Sequence, residues 1–132
     1  MNRRTFLLSS LTAAAAPSMS FAQENPGVGV IFIGASWCAF CKSAAPVLAA
    51  MTQPAGIPVL VASHDARPIP PFADVTDART HPVAAQITEF PTTLIYSQAA
   101  GEITGRITGY RNARHYAQSV RAAVLAAAGR TG

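Results

Sequence analysis

Ile31-Phe32-Ile33-Gly34-Ala35-Ser36-Trp37-Cys38-Ala39-Phe40-Cys41-Lys42 is the stretch on which the reading of this 132-residue chain turns. It reads as a buried strand, a short loop and a helix opening on a Cys-x-x-Cys pair. On a helix rising 1.5 Å per residue, positions three apart have Cα atoms about 5 Å from each other, inside the range a disulfide spans. Cys38 and Cys41 can therefore bond and part with little backbone movement. Cys38 falls at the helix start, where unpaired N–H groups and the positive end of the dipole favour a thiolate. This predicts Cys38 as the attacking thiol and Cys41 as the resolving one.

Two plainer readings compete. A zinc site needs four ligands, but there are only two cysteines, and His64, His81 and His115 are too scattered to complete one, so no metal is expected. A structural staple is the other. A bridge across two intervening residues removes little chain entropy, so redox chemistry explains the spacing better.

Upstream, Met1-Asn2-Arg3-Arg4-Thr5-Phe6-Leu7-Leu8 is a positive patch leading into an apolar run through Ala16, with no acidic residue before Glu24. Ser20-Phe21-Ala22 offers small residues where a signal peptidase reads, predicting an export signal over residues 1–22 and cleavage before Gln23. The paired arginines followed by Thr-Phe-Leu resemble a twin-arginine signal, although Asn2 and Leu8 depart from its usual pattern. The run is too short, and too rich in Ala, Ser and Thr, for a membrane span. Residues 23–132 remain as one domain, enough for a single core. Losing Arg3 and Arg4 leaves eight basic against six acidic side chains. No basic patch suggests nucleic acid.

Along this domain, Val28 to Ile33 is a nearly unbroken apolar run, the pattern of a central strand covered on both faces. A helix continues through Ser43 to Met51, with Pro46 expected to bend it. Ile57 to Ala62 reads as a second strand, parallel to the first across the helical crossover. Arg67 to Thr80, with Pro68, Pro70 and Pro71, reads as a loop. A short helix is predicted over Val83 to Ile87, a third strand over Thr92 to Tyr96, and a fourth, antiparallel strand over Ile103 to Thr108. Asn112 is placed as the N-cap of a last helix to Ala128, with Tyr116, Val120, Ala123, Val124 and Ala127 on one face. The expected class is α/β, a β-α-β-α-β-β-α core with a mixed four-stranded sheet.

Trp37-Cys38-Ala39-Phe40-Cys41-Lys42, with Ala45-Pro46 a turn later, resembles the active-site helix of the thioredoxin superfamily. The resemblance extends to Phe90-Pro91-Thr92 and to Gly101-Glu102 and Gly109, over nearly all of the exported domain. It implies a minimal thioredoxin-like fold and a thiol–disulfide oxidoreductase with a redox-active Cys38–Cys41 pair. It also implies that Trp37 is an apolar wall and Pro91 a cis residue facing the disulfide. The backbone of Phe90 would pair with a substrate strand. No cofactor is expected. The partners would be protein thiols and disulfides of the periplasm, with a membrane electron donor.

The chain departs from that family at Phe32, where a buried acid usually helps deprotonate the resolving thiol. Ala39-Phe40 matches neither the Gly-Pro of reducing members nor the Pro-His of strong oxidants. Reduction is the favoured direction, because the domain is small and lacks the helical insertion of the main disulfide-forming oxidants. Disulfide formation is the alternative. A third, from another class, is Cu(I) handling by the two soft thiolates. His64, His81 and Lys42 are expected to be surface residues.

Overall fold

The computed structural model describes residues 27–129, so the predicted signal segment and its cleavage site lie outside the described residues. Five strands form one mixed sheet: β1 (Val28–Gly34), β2 (Val59–Ser63), β3 (Thr76–Asp77), β4 (Thr92–Ser97) and β5 (Glu102–Thr108), in the spatial order β3-β2-β1-β4-β5. Two helices complete it, α1 (Ala39–Thr52) between β1 and β2, and α2 (Ala113–Gly129) after β5. β1 pairs parallel with β2, with Phe32 opposite Val61, and antiparallel with β4, with Phe32 opposite Thr93. β1 is thus the middle of the sheet, as its unbroken apolar run requires.

Period-two alternation divides the strand residues between two cores. Val28, Val30 and Phe32 of β1 join Val61 and Ile95 beneath both helices, with Ala44, Ala45 and Leu48 of α1 and Tyr116, Val120 and Ala127 of α2. Ile33, Ala62 and Leu94 face the other way, against Ala78 and Ala84. Each fully buried Ile, Leu or Phe contributes about 1.5–3 kcal/mol, so β1, which buries Phe32 and Ile33 beside Val28 and Val30, is the best-anchored strand. The alanines of α1 let that helix lie close on β1. Pro46 sits on its exposed side, where water can take the carbonyl that proline leaves unbonded, and α1 runs through it without a break.

The expected order needs two corrections. The Arg67–Thr80 loop contains a fifth strand: β3 pairs parallel with β2, with Thr76 opposite Ala62. Two residues between prolines and a turn leave no periodicity to read. The helix predicted over Val83–Ile87 is a single 3-10 turn, Ala84–Gln86, preceded by another at Ala78–Thr80. His81 Nδ1 accepts the N–H groups of Val83 and Ala84 at 3.2 Å each, and Pro82 precludes a longer start. Elsewhere the expected elements stand with ends moved by a residue or two. Asn112 caps α2 as predicted, its Oδ1 accepting the His115 N–H at 2.8 Å.

Candidate active site

The β1–α1 junction builds the site. After Gly34 the chain makes a turn in which the Cys38 N–H donates to the Ala35 carbonyl at 3.2 Å, and the next residue begins α1. Cys38 is the N-cap, in extended conformation (φ −84°, ψ 115°), and its sulfur accepts the Cys41 N–H at 3.2 Å. A thiol thus does here what a serine or aspartate side chain does at most helix starts, which places Sγ among the unpaired donors of the first turn. Cys41 sits one turn in. Both cysteines are free thiols.

Their surroundings differ. Cys38 is 8% exposed and Cys41 is fully buried. Burial pushes the Cys41 thiol up to about 12, and its hydrogen bond and charge interaction with Cys38 push the same way. A thiolate at Cys41 is therefore costly while the pair is reduced.

Gly34 of β1 lies directly against Cys41, which shares a buried cluster with Phe32. A β-carbon at Gly34 would stand 2.7 Å from the Cys41 sulfur, with Ile69 Cδ1 3.4 Å away. Phe32 lies one pleat further back on the same face, fully buried, its ring 6.4 Å from that of Phe72. The wall behind the Cys41 thiol is thus apolar, and β1 carries no side chain at Gly34, where the sulfur lies. The proline-rich loop supplies part of it, since Ile69 is fully buried and the Phe72 N–H bonds back to the Ile69 carbonyl at 2.9 Å.

Around the mouth lie aromatic rings. Trp37 and Phe40 are 62% and 59% exposed, beside and between the cysteines. The Trp37 ring meets Phe90 edge-on at 6.1 Å, Phe90 lies 5.4 Å from the His64 ring, and Phe40 lies 6.4 Å from Tyr110. The Phe90–Pro91 peptide bond is cis, and the Pro91 carbonyl accepts the Gly109 N–H at 2.7 Å. The structure therefore brings together Trp37, Cys38, Cys41, Phe90 and Pro91. His64 is exposed, as expected, and its ring joins this aromatic group through Phe90.

Sequence reasoning missed Ser36 and Asp65. Both Ser36 donors, the N–H at 3.1 Å and the hydroxyl, go to the Asp65 carboxylate, which also accepts from the Ser63 hydroxyl at 2.8 Å. Partial desolvation raises Asp65, but the Ser36 and Ser63 hydrogen bonds outweigh it and hold the carboxyl well below the usual range. A signal existed in the topology: β1 and β2 are parallel neighbours, so the loops after them meet at one sheet edge. Among the described residues no group of three His, Cys, Asp or Glu could hold a metal ion. No helix among them is long and apolar enough to cross a membrane.

Solved structures share this fold. A Chlorobium tepidum protein described as the thiol:disulfide interchange protein DsbE aligns with a TM-score of 0.58 at 19% identity, over 79% of this chain and 82% of that one. Thioredoxin of Fasciola hepatica aligns at 0.55 and 16% identity, over 77% and 82%. Spinach chloroplast thioredoxin f aligns at 0.55 and 19%, over 78% and 72%. At these identities the likeness is one of fold, and the fold is thioredoxin-like. No curated protein matches in sequence. The family model described as TraF, F plasmid transfer operon protein, matches residues 16–105, and with that span covering most of the thioredoxin-like domain the chain belongs to the TraF family.

Proposed function

We propose that this protein is an exported, periplasmic thiol–disulfide oxidoreductase that reduces protein disulfides. Cys38 Sγ attacks one sulfur of a partner disulfide, that S–S bond breaks, and the departing partner sulfur takes a proton. A mixed disulfide remains. Cys41 then gives up its proton and attacks Cys38 Sγ, the bond to the partner breaks, and the second partner thiol leaves. Two electrons and two protons have passed to the partner, and Cys38–Cys41 is oxidised until a dithiol donor, proposed to be membrane-borne, reduces it again.

The observation that carries this reading is the asymmetric pair: a thiol at the rim capping α1, and a second, buried thiol whose N–H reaches it at 3.2 Å. Trp37, Phe90 and Pro91 would receive the partner's backbone beside it. Phe90 makes no backbone hydrogen bond to the described residues, which suits pairing with an added strand. Reduction of insulin disulfides by the purified protein, with turnover lost in Cys38→Ser, tests the activity. A midpoint near about −270 mV would support reduction, and one near about −120 mV would support disulfide formation instead. Tight Cu(I) uptake without insulin turnover would replace the redox reading by metal handling.

A further inference from the structure

The loop that carries the attacking thiol is tied down from a neighbouring strand. Ser36 stands two residues ahead of Cys38, inside the turn closed by the Cys38 N–H on the Ala35 carbonyl at 3.2 Å. Its N–H donates to Asp65 Oδ1 at 3.1 Å and its hydroxyl donates to Oδ2. Oδ1 also accepts the Ser63 hydroxyl at 2.8 Å, and the Ser63 oxygen in turn accepts the Arg67 N–H at 3.3 Å. The His64 N–H donates to the Gly34 carbonyl at 2.7 Å, so β1 and β2 remain paired up to the point where the two loops leave. Ala66 is left-handed (φ 60°), an unfavourable conformation for a residue with a β-carbon, and its N–H closes a tight turn on the Ser63 carbonyl at 3.1 Å. The whole β2 end is thus bent around one carboxylate aimed at the β1–α1 loop.

We propose that Asp65 is a positioning residue for the thiol pair: it clamps the Ala35–Cys38 turn so that the Cys38 sulfur stays within reach of Cys41. This rests on the redox reading of the Cys38–Cys41 pair. Two adjacent donors on one residue call for two acceptor oxygens in one plane, which a carboxylate supplies. An asparagine would turn an N–H toward one of them. Holding two reacting groups in place raises their effective concentration, so the clamp favours closing the disulfide over leaving the dithiol.

The test is the equilibrium of the purified full-length protein with glutathione, in which dithiol and oxidised glutathione exchange for protein disulfide and two reduced glutathiones. Asp65→Asn and Ser36→Ala are expected to shift it toward the dithiol by roughly threefold to tenfold, an effect of lost positioning. Ser36→Thr, which keeps both donors, should restore the parental value. A fold-supporting role alone would lower the melting temperature equally in both oxidation states and leave the equilibrium where it was. That result overturns the proposal, as does an equal shift for Ser36→Thr and Ser36→Ala. Should Asp65→Asn fail to fold, the Ser36 pair decides. A parental protein that forms no Cys38–Cys41 disulfide with glutathione overturns the redox reading itself, and the clamp with it.

Discussion

Gly34 and Cys41 share one space: the Cys41 sulfur occupies the volume in which a β-carbon on residue 34 would lie, 2.7 Å from where that carbon would be. The strand carries no side chain there, and the Cys41 sulfur takes its place. This contact seats α1 directly on the central strand.

Gly34→Ala is therefore expected to push Cys41 and the first turn of α1 outward. Overpacking of this kind costs about 1–3 kcal/mol. Urea unfolding should show the loss, and the displaced Cys41 should leave more mixed disulfide trapped on Cys38 during turnover.

The two thiols should label in order. Because only Cys38 reaches the surface and burial holds the Cys41 thiol near 12, iodoacetamide at neutral pH should modify Cys38 well ahead of Cys41. Cys41→Ser should accumulate covalent complexes with partners and Cys38→Ser none, as read by non-reducing electrophoresis.

Resolution should depend steeply on pH. With its thiol held far above neutrality, Cys41 gains thiolate about tenfold per pH unit, so stopped-flow decay of a mixed disulfide should quicken from pH 7 to 9. Phe32→Asp, which places a carboxylate on the same strand face, should quicken the step near pH 7 and flatten its pH profile, at a cost in stability from the buried polar group. The raised thiol has a second consequence. Its contribution is intact below the ordinary value of 9.0 and is lost as pH rises toward about 12, so the dithiol form should lose stability over that window. The disulfide form, with no thiol to titrate, should lose less, keeping only the loss from the buried Tyr116 hydroxyl, which burial also raises.

Tyr116 and Thr93 join their hydroxyls at 2.6 Å in full burial between α2 and β4. Tyr116→Phe leaves the Thr93 hydroxyl without that partner and should cost about 1–3 kcal/mol. Adding Thr93→Val should recover part of the loss, by denaturant unfolding of the single and double variants.

If the proposed export uses the twin-arginine route, Arg3→Lys with Arg4→Lys should block it, whereas a general secretory signal would tolerate that charge-conserving change. Fractionation of expressing cells would show it, and N-terminal sequencing of the exported protein checks the proposed cleavage before Gln23.

The residues of the chemical pair, the helix they open, the central strand and the last helix with its Asn112 cap were all legible from the chain. Each is decided by local rules: helical spacing, an apolar run, a capping side chain. Pro91 and Phe90 could be placed only by resemblance, since nothing local brings residue 90 to residue 37. β3 escaped notice because two residues carry no period, and its strand character comes only from hydrogen bonding to β2. The same holds for the site's supports. That Gly34 meets Cys41, that Ile69 closes the wall, and that Asp65 holds Ser36 from 29 residues away are products of parallel pairing and helix packing. Sequence determines which groups can react. Tertiary structure decides which stand together, because contacts between distant residues appear only when strands and helices are stacked.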